Sequence, residues 1–197
     1  MKNYQLVLAS TSPFRQQLLE KLSVPFICLS PDCDETPYES ETPLDLVQRL
    51  AVNKATSCSI NKPSNKPSLV IGSDQVCVID GKIVGKPLNR ENAINQLLAQ
   101  SGKAITFYTG LAVYNSMTNL TEVGYDTFEV HFRNLNREQI ERYVDREEPF
   151  YCAGSFKSEG MGICLFEKLV GKDPNTLVGL PLIDLIDMLQ KQGFEIL

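Results

Sequence analysis

The sequence predicts an α/β fold in which helices flank a long mixed β-sheet and two lobes leave a cleft between them. Three observations support this prediction. In the first half of the 197-residue chain, short apolar strand patterns alternate with amphipathic helix patterns, as in parallel βα units. A two-residue hairpin signal follows the central strand. Two long strand patterns joined by a tight turn come later, and they add antiparallel strands to the sheet.

The first helix begins in a way that suits an anion. An apolar strand is predicted over residues 6–9, and three hydroxyl residues follow it. Ser12 fits the N-cap of the next helix, and Arg15 lies in its first turn. Free backbone N–H groups and the helix dipole favour a negative charge there, and a guanidinium binds phosphate in a bidentate way. Ordinary capping is the alternative, but it explains Ser12 and not Ser10 or Arg15.

An acidic loop precedes the second helix. Asp32, Asp34 and Glu35 lie between two prolines, and carboxylates at this density could hold Mg²⁺, which prefers oxygen ligands. Solvated loop charge is the more common explanation of such a run. The second helix then begins with a capping-box pattern at Thr42. Lys54 lies near its C-terminal end, where the helix dipole favours a cation.

The central strand region carries the most informative residue. Two apolar strand halves flank the polar residues 73–75, and Asp80-Gly81 predicts a hairpin turn after the second half. An unpaired carboxylate at Asp74 would cost several kcal/mol, so it must meet a cation, a metal or water. Lys86, which lies just past the predicted hairpin, is a candidate cation. The alternative is that Asp74 ends a strand by accepting hydrogen bonds from backbone amides.

The remaining elements continue the alternation of helices and strands. They are a polar connecting loop at 61–67, a helix from Asn89 to Ser101, strands at 104–114 and 120–132, a helix over 137–146, a strand at 163–169, a loop at 171–176 and a helix from Pro181 to Gly193. Residues 151–162 contain three glycines together with Ser, Lys and Glu. This composition suggests a loop close to a ligand, and a structural turn is the alternative.

Composition limits the function. Hydrophobic residues make up 43% and charged residues 22% of the chain, which is typical of a globular protein. The net charge of −5 argues against a surface that binds nucleic acid. No apolar run approaches the roughly 20 residues that span a bilayer. Six scattered cysteines and an N-terminus without a signal peptide's apolar region predict a reducing cytoplasm. We expect neither a nucleic acid nor a membrane partner.

A single histidine limits the chemistry further. His131 is the only one in the chain, and its alternating surroundings predict a hydrogen-bonded strand residue. Ser-His-Asp hydrolysis, zinc-protease motifs and Cys-His catalysis therefore have little material here. If the chain is an enzyme, we expect its general base to be a carboxylate.

Seven motifs, taken in order, resemble those of the Maf-like nucleotide pyrophosphatases. They occur between residue 6 and residue 182 and so are spread over nearly the whole chain. The motifs are Leu8-Ala9-Ser10-Thr11-Ser12-Pro13-Phe14-Arg15, Asp34-Glu35, Lys54-Ala55, Gly72-Ser73-Asp74-Gln75, Gly85-Lys86-Pro87, Phe107-Tyr108-Thr109-Gly110 and Gly179-Leu180-Pro181.

The resemblance implies a cytoplasmic enzyme, formed as a single domain by residues 1–197, that cleaves nucleoside triphosphates between the α- and β-phosphates. It also implies a divalent metal cofactor, Mg²⁺ or Mn²⁺, which Glu35 would help to hold. Asp74 would accept the proton of the attacking water. The residues that would bind the phosphates are Ser10, Arg15, Lys54 and Lys86.

Three positions resemble the branch of this family that acts on 7-methyl-GTP. Phe14 stands where that branch has an aromatic residue, and Gln75 and Glu159 match its Gln and Glu. Members of that branch carry Trp at the position of Phe14, and Phe stacks less strongly than Trp. A 7-methylguanine base is cationic, and an aromatic face attracts a cation by roughly 0.5–2 kcal/mol. A carboxylate at Glu159 can accept both Watson–Crick N–H groups of guanine.

Two alternatives remain open. One is the same chemistry on dTTP, UTP or another modified nucleotide. Phe14 and Glu159 argue against dTTP and UTP, and the branch that hydrolyses these two has Arg at the Phe14 position. The other is a non-enzymatic nucleotide-binding regulator of cell division. The combination of Asp74, Glu35 and Lys86 disfavours it, because a pure binder gains nothing from a general base. The sequence leaves the oligomeric state open, a homodimer included.

Overall fold

The computed structural model describes residues 4–58 and 66–197. Seven β-strands and five α-helices lie in these ranges. The strands are β1 (Gln5–Ala9), β2 (Phe26–Leu29), β3 (Ser68–Ile79), β4 (Lys82–Val84), β5 (Ala104–Asn115), β6 (Leu120–Phe132) and β7 (Phe166–Gly171). The helices are α1 (Pro13–Glu20), α2 (Pro43–Ser57), α3 (Arg90–Gln100), α4 (Arg137–Glu147) and α5 (Leu182–Lys191). None of these helices is both long enough and apolar enough to cross a membrane.

The strands form one mixed sheet in the order β2-β1-β3-β5-β6-β7, with β4 paired to β3. β1 runs parallel to β2 and β3, while β4 and β7 run antiparallel to their partners. The predicted α/β class with a long mixed sheet is therefore confirmed. The chain divides into two compact units, one made of residues 1–74, 109–126 and 173–197 and the other of residues 75–108 and 127–172.

In the first unit, β1 is apolar on both faces because each face packs against helices, as is usual for parallel strands. Leu8 belongs to a buried cluster with Leu185 of α5. Val7, which points to the opposite face, belongs to a cluster with Ala51 of α2. The unit thus has a helix layer on each side of its strands.

Two glycines let α2 lie directly on these strands. A Cβ added at Gly72 would lie 2.1 Å from the carbonyl oxygen of Ala51, and one added at Gly110 would lie 2.1 Å from that of Val47. Any side chain at either position would push the helix outward, because a protein interior has no space for the overlap. The close approach brings the last turn of α2, which carries Lys54, against β3.

In the second unit, β3 continues into the predicted hairpin, in which Cys77 lies opposite Val84. β6 pairs with β7 in the same unit. Four phenylalanine rings of this unit pack edge to face with centroids 4.8 to 5.7 Å apart. They are Phe107, Phe132, Phe156 and Phe166. This aromatic cluster is buried and ties Phe156, from the loop at 151–162, to the strands of the unit.

The structure differs from the sequence prediction in four places. β2 is not predicted at all, and β3 is one continuous strand, because its polar residues find partners without breaking it. The strand predicted at 163–169 begins only at Phe166, since Met161–Leu165 forms 3-10 turns. A short apolar run does not by itself distinguish strand from helix. The loop predicted at 171–176 contains a 3-10 helix at Pro174–Val178. Most of the connecting loop predicted at 61–67 lies outside the described residues.

Candidate active site

Asp74 lies on β3 in the first unit, with 8% of its surface exposed. Its Oδ1 accepts a hydrogen bond of 2.6 Å from Nζ of Lys54, and the same ammonium donates to Oε2 of Glu35 at 2.9 Å. Lys54 is itself only 5% exposed. Asp74 therefore meets a cation, as predicted, but the cation comes from α2, 20 residues earlier. Asp74 does not end a strand, because β3 continues to Ile79.

The start of α1 agrees with the prediction from sequence. Ser12 is the N-cap, and its side chain accepts a hydrogen bond from the backbone N–H of Arg15. The backbone N–H of Ser12 in turn donates to Oγ of Ser10 at 3.1 Å. These contacts hold Ser10 buried at the end of β1. Phe14, the second residue of the helix, is partly buried.

The Arg15 guanidinium is fixed at one end. Its Nε donates a hydrogen bond of 2.8 Å to the carbonyl oxygen of Gly179. No described residue accepts a hydrogen bond from its two terminal nitrogens. Burial lowers the pKa of Arg15 from its ordinary value, while the nearby carboxylates of Asp74 and Glu35 act in the opposite direction. Arginine remains charged in proteins even so. The result is a held cation with two free donor groups beside the Asp74 ion pair.

Ser73 and Gly179, for which no role is predicted from the sequence, hold Arg15 in this position. Oγ of Ser73 lies 2.8 Å from the carbonyl oxygen of Gly110 and 2.9 Å from that of Gly179. A hydroxyl has one hydrogen, so it donates to one of these carbonyls at a time. Gly179 has a φ of +104°, which residues with a Cβ rarely adopt. Its place in one of the seven motifs is the sequence signal that could have identified it.

Glu35 and Asp74 also fit a hard divalent cation. Each has one carboxylate oxygen on Lys54 and the other oxygen available as a ligand. In proteins, Mg²⁺ is commonly held by one or two carboxylates together with substrate phosphates and water. Among the described residues, no group of three or more His, Cys, Asp and Glu side chains could hold a metal ion. The two carboxylates therefore suit an ion that completes its coordination with substrate oxygens.

Three predicted site residues belong to the second unit. Lys86 and Glu159 are exposed, on the loops after β4 and before the 3-10 turns, and Gln75 is partly buried on β3. Burial raises the pKa of the Cys152 thiol; Glu159 adds to this effect, and Lys157 and Lys86 oppose it. Lys86 and Glu159 are therefore both within electrostatic reach of one side chain.

The structure thus places six of the nine predicted site residues in the first unit and three in the second. Those in the first unit are Ser10, Phe14, Arg15, Glu35, Lys54 and Asp74, and those in the second are Gln75, Lys86 and Glu159. Their roles in binding and catalysis stay predictions. His131 is hydrogen-bonded within its strand, as expected, since its Nε2 lies 2.5 Å from Oε1 of Glu129.

Comparison with known proteins identifies relatives over the full length. Residues 5–192 match the family described as Maf-like protein. The chain is 96% identical over 197 residues to a Vibrio parahaemolyticus protein named 7-methyl-GTP pyrophosphatase, with all of both chains covered. Proteins of the same name from Vibrio vulnificus and Vibrio cholerae are 72% and 62% identical, also over the whole of each chain.

Among solved structures, the Staphylococcus aureus Ham1 protein aligns with a TM-score of 0.44 at 14% identity, covering 80% of this chain and 89% of that one. A dITP/XTP pyrophosphatase from Mycobacterium abscessus aligns with a TM-score of 0.39 at 13% identity, covering 95% and 97%. Both TM-scores are too low to support any argument about the site.

Proposed function

Because this chain belongs to the family of Maf-like proteins, we propose that it is a nucleoside triphosphate pyrophosphatase that converts 7-methyl-GTP to 7-methyl-GMP and pyrophosphate. The observation that carries this proposal is its near-identity, over the full length, to a protein named for that activity. The buried Asp74–Lys54 pair beside Arg15 supports the chemistry, because hydrolysis of a phosphoanhydride needs a base and concentrated positive charge.

In the proposed reaction, the oxygen of a water molecule attacks the α-phosphorus, and the bond from that phosphorus to the oxygen bridging to the β-phosphorus breaks. The electron pair leaves with pyrophosphate, and the water proton passes to Asp74. Oδ1 of Asp74 is held by Lys54, and no described residue binds Oδ2, which is the oxygen we assign as the proton acceptor. A positioned general base contributes roughly 10²–10⁴ in rate.

Positive groups then compensate the charge on the phosphates. Arg15 presents two terminal nitrogens, because its Nε is on Gly179, and this geometry suits two phosphate oxygens. Ser10 supplies a hydroxyl, and we assign Lys86 to the same task. Lys54 has a double role in this proposal: it holds the base in place and adds positive charge. Such preorganised groups stabilise the charge that develops as the leaving group departs.

A divalent cation, Mg²⁺ or Mn²⁺, would be held by the free oxygen of Glu35 together with phosphate oxygens and water, because Oδ2 of Asp74 is assigned to the proton. It would polarise the phosphates when bound. The residues of the chain account for the other steps. Glu35 is also the more exposed partner of Lys54, with 57% of its side chain accessible. It can therefore turn toward a ligand at little cost in free energy, since exposed ion pairs contribute little.

Base selection is assigned to Phe14, Gln75 and Glu159. The cationic 7-methylguanine ring would stack on Phe14, and the Glu159 carboxylate would accept its N–H groups. The dTTP and UTP alternative and the non-catalytic regulator are not favoured, because the relatives at 96%, 72% and 62% identity all carry the 7-methyl-GTP pyrophosphatase name. We further propose that residues 1–197 act as one domain in the cytoplasm, where the six free thiols would remain reduced.

The test is pyrophosphate release from a panel of nucleotides that contains 7-methyl-GTP, GTP, dTTP and UTP, each with and without Mg²⁺. We expect 7-methyl-GTP to be cleaved best, and only with the metal. Asp74→Asn should still bind nucleotide but lose nearly all turnover. An active Asp74→Asn variant would remove Asp74 from the mechanism, and preference for dTTP or UTP would contradict the substrate assignment.

A further inference from the structure

The side-chain amide of Gln96 joins two loops of the second unit. Its Nε2 donates a hydrogen bond of 3.1 Å to the carbonyl oxygen of Gly85. Its Oε1 accepts a hydrogen bond of 2.5 Å from Oγ of Ser155. A carbonyl oxygen only accepts, so the nitrogen of the amide must face Gly85. The oxygen then faces Ser155, whose hydroxyl is the donor.

Gln96 belongs to a row of amides on one face of α3. Residues 92, 96 and 100 are four apart and therefore lie above one another on the helix. Nδ2 of Asn92 donates to the carbonyl oxygen of Pro87 at 2.9 Å. Nε2 of Gln100 donates to that of Gly154, also at 2.9 Å. Each member of this amide row, Asn92, Gln96 and Gln100, thus holds a loop carbonyl.

The two loops held in this way carry two of the predicted substrate residues. Gly85 and Pro87 flank Lys86, which is exposed, so the amide row holds the backbone on both sides of that lysine. Ser155 lies in the loop that leads to Glu159. Both charged side chains act on the same Cys152 thiol. The amide row therefore contacts the backbone that sets the placement of each.

The second loop has a conformation that needs such support. Gly154 has a φ of +74° and Ser155 a φ of +62°, and a non-glycine residue in the left-handed region persists only where its surroundings hold it there. Ser155 is fully buried. Its hydroxyl bond to Gln96 and the bond from Gln100 to Gly154 are two such restraints.

Gln100 shows that the row is not optimised for stability alone. It is fully buried, and among the described residues its Oε1 is one of the buried side-chain atoms without a hydrogen-bond partner. A buried amide oxygen without a partner is destabilising, and an apolar residue of similar size would avoid it. A need to hold the Gly154 carbonyl in place would explain why Gln100, and not an apolar residue, occupies this position.

We propose that the amide row of α3 positions Lys86 and Glu159, and that Gln96 is the positioning residue that links phosphate binding to base recognition. This inference rests on the proposed function. Gln96 does not touch the substrate; it acts through the backbone of the Gly85 and Ser155 loops. Loss of its side chain should affect both recognition steps, and loss of either hydrogen bond alone should affect one.

Three variants separate the two hydrogen bonds. Gln96→Met removes both at similar volume. Gln96→Glu keeps an acceptor for the Ser155 hydroxyl but places a second oxygen opposite the Gly85 carbonyl. Ser155→Ala removes only the bond to Ser155. Asn95→Met, on the adjacent exposed position of the same helix, is the control.

Three measurements read the effects: the inhibition constant of pyrophosphate, which probes the phosphate contact; the ratio of kcat/KM for 7-methyl-GTP to that for GTP; and Tm. We expect Gln96→Glu to weaken pyrophosphate binding and to leave the ratio unchanged, and Ser155→Ala to lower the ratio and to leave pyrophosphate binding unchanged. Gln96→Met should do both. Each effect should be about two- to tenfold, as for one hydrogen bond, and the control should match the wild type.

A merely structural role would lower Tm without moving either the inhibition constant or the ratio, and that result in Gln96→Met would overturn the inference. Equal changes in both quantities for Gln96→Glu and Ser155→Ala would also contradict it, because the two hydrogen bonds would then not act separately. If the wild type releases no pyrophosphate from any nucleotide of the panel, the proposed function fails, and this inference fails with it. An active wild type with an unchanged Gln96→Met variant refutes the positioning role alone.

Discussion

Replacing Lys54 by Met tests the ion pair on which the candidate site depends. The Lys54 and Asp74 side chains are 7% and 11% exposed, so removing the ammonium leaves a buried carboxylate without its partner. Such a loss costs about 3–5 kcal/mol. The contact with Glu35, whose side chain is 57% exposed, adds only about 0–1 kcal/mol. We expect Lys54→Met to lower the free energy of unfolding by about 3–5 kcal/mol, a large part of the 5–15 kcal/mol that is usual for a domain.

The measurement is urea unfolding followed by far-UV circular dichroism, since the chain has no tryptophan to report by fluorescence. Lys191→Met is a matched control. Lys191 lies 2.7 Å from Glu122, but the two side chains are 67% and 25% exposed, so its loss should leave the free energy of unfolding nearly unchanged. If Lys54→Met costs no more than this control, the Asp74 charge does not depend on Lys54 and the reasoning is refuted.

A second substitution identifies the cause of the loss. Asp74→Asn in the Lys54→Met background removes the uncompensated charge, and neutral replacement of a buried pair is often close to neutral in stability. We therefore expect the double variant to be more stable than Lys54→Met alone. A double variant that is equally or less stable would mean that lost packing of the lysine stem, and not charge, explains the effect.

Three further predictions concern other parts of the chain. Ser73→Ala should lower the free energy of unfolding by about 1–3 kcal/mol and raise KM for the triphosphate, because the Gly179 carbonyl that holds Arg15 loses a donor; an unchanged KM would separate Ser73 from the site. Phe14→Arg combined with Glu159→Gln should weaken cleavage of 7-methyl-GTP selectively, and equal losses on every nucleotide would show that these residues do not read the base. Hydrogen bonding to Arg49 lowers the pKa of Glu41 from 4.5 to about 2, so this contact stabilises the folded state above pH 4.5 and is lost as the pH falls toward 2. Glu41→Gln should therefore lower Tm at pH 7, and the difference from the wild type should shrink below pH 4.5; a difference that is constant with pH would contradict this assignment.

Features that depend on neighbouring residues could be predicted from the sequence. The N-cap at Ser12 and the hairpin turn at Asp80-Gly81 are local signals, and both are confirmed. The need of Asp74 for a partner also followed from sequence, since burial of a carboxylate between apolar strand halves demands compensation. The strand predicted at 163–169 was wrong in its first part, because a short apolar run is compatible with a helical turn as well as with a strand.

Contacts between distant segments could not be predicted in the same way. The carbonyl oxygen of Gly179 accepts a hydrogen bond from Arg15, which is 164 residues away in the sequence. No local pattern near either residue predicts this contact. The amide row of α3 is similar: the spacing of Asn92, Gln96 and Gln100 is visible in the sequence, but the carbonyls that they bind lie on separate loops.

For this protein, the order of residues was enough to determine the types of most main elements, the need of the Asp74 charge for a partner, and the family. Periodicity, capping and motifs are local features of the sequence, so they can be recognised without the tertiary structure. Only the tertiary structure decided which cation meets Asp74. Lys54 reaches it because Gly72 and Gly110 leave room for α2 to lie against the strands. That contact depends on the distance between two packed elements, and such a distance is set by side-chain volumes at the interface and not by any local pattern.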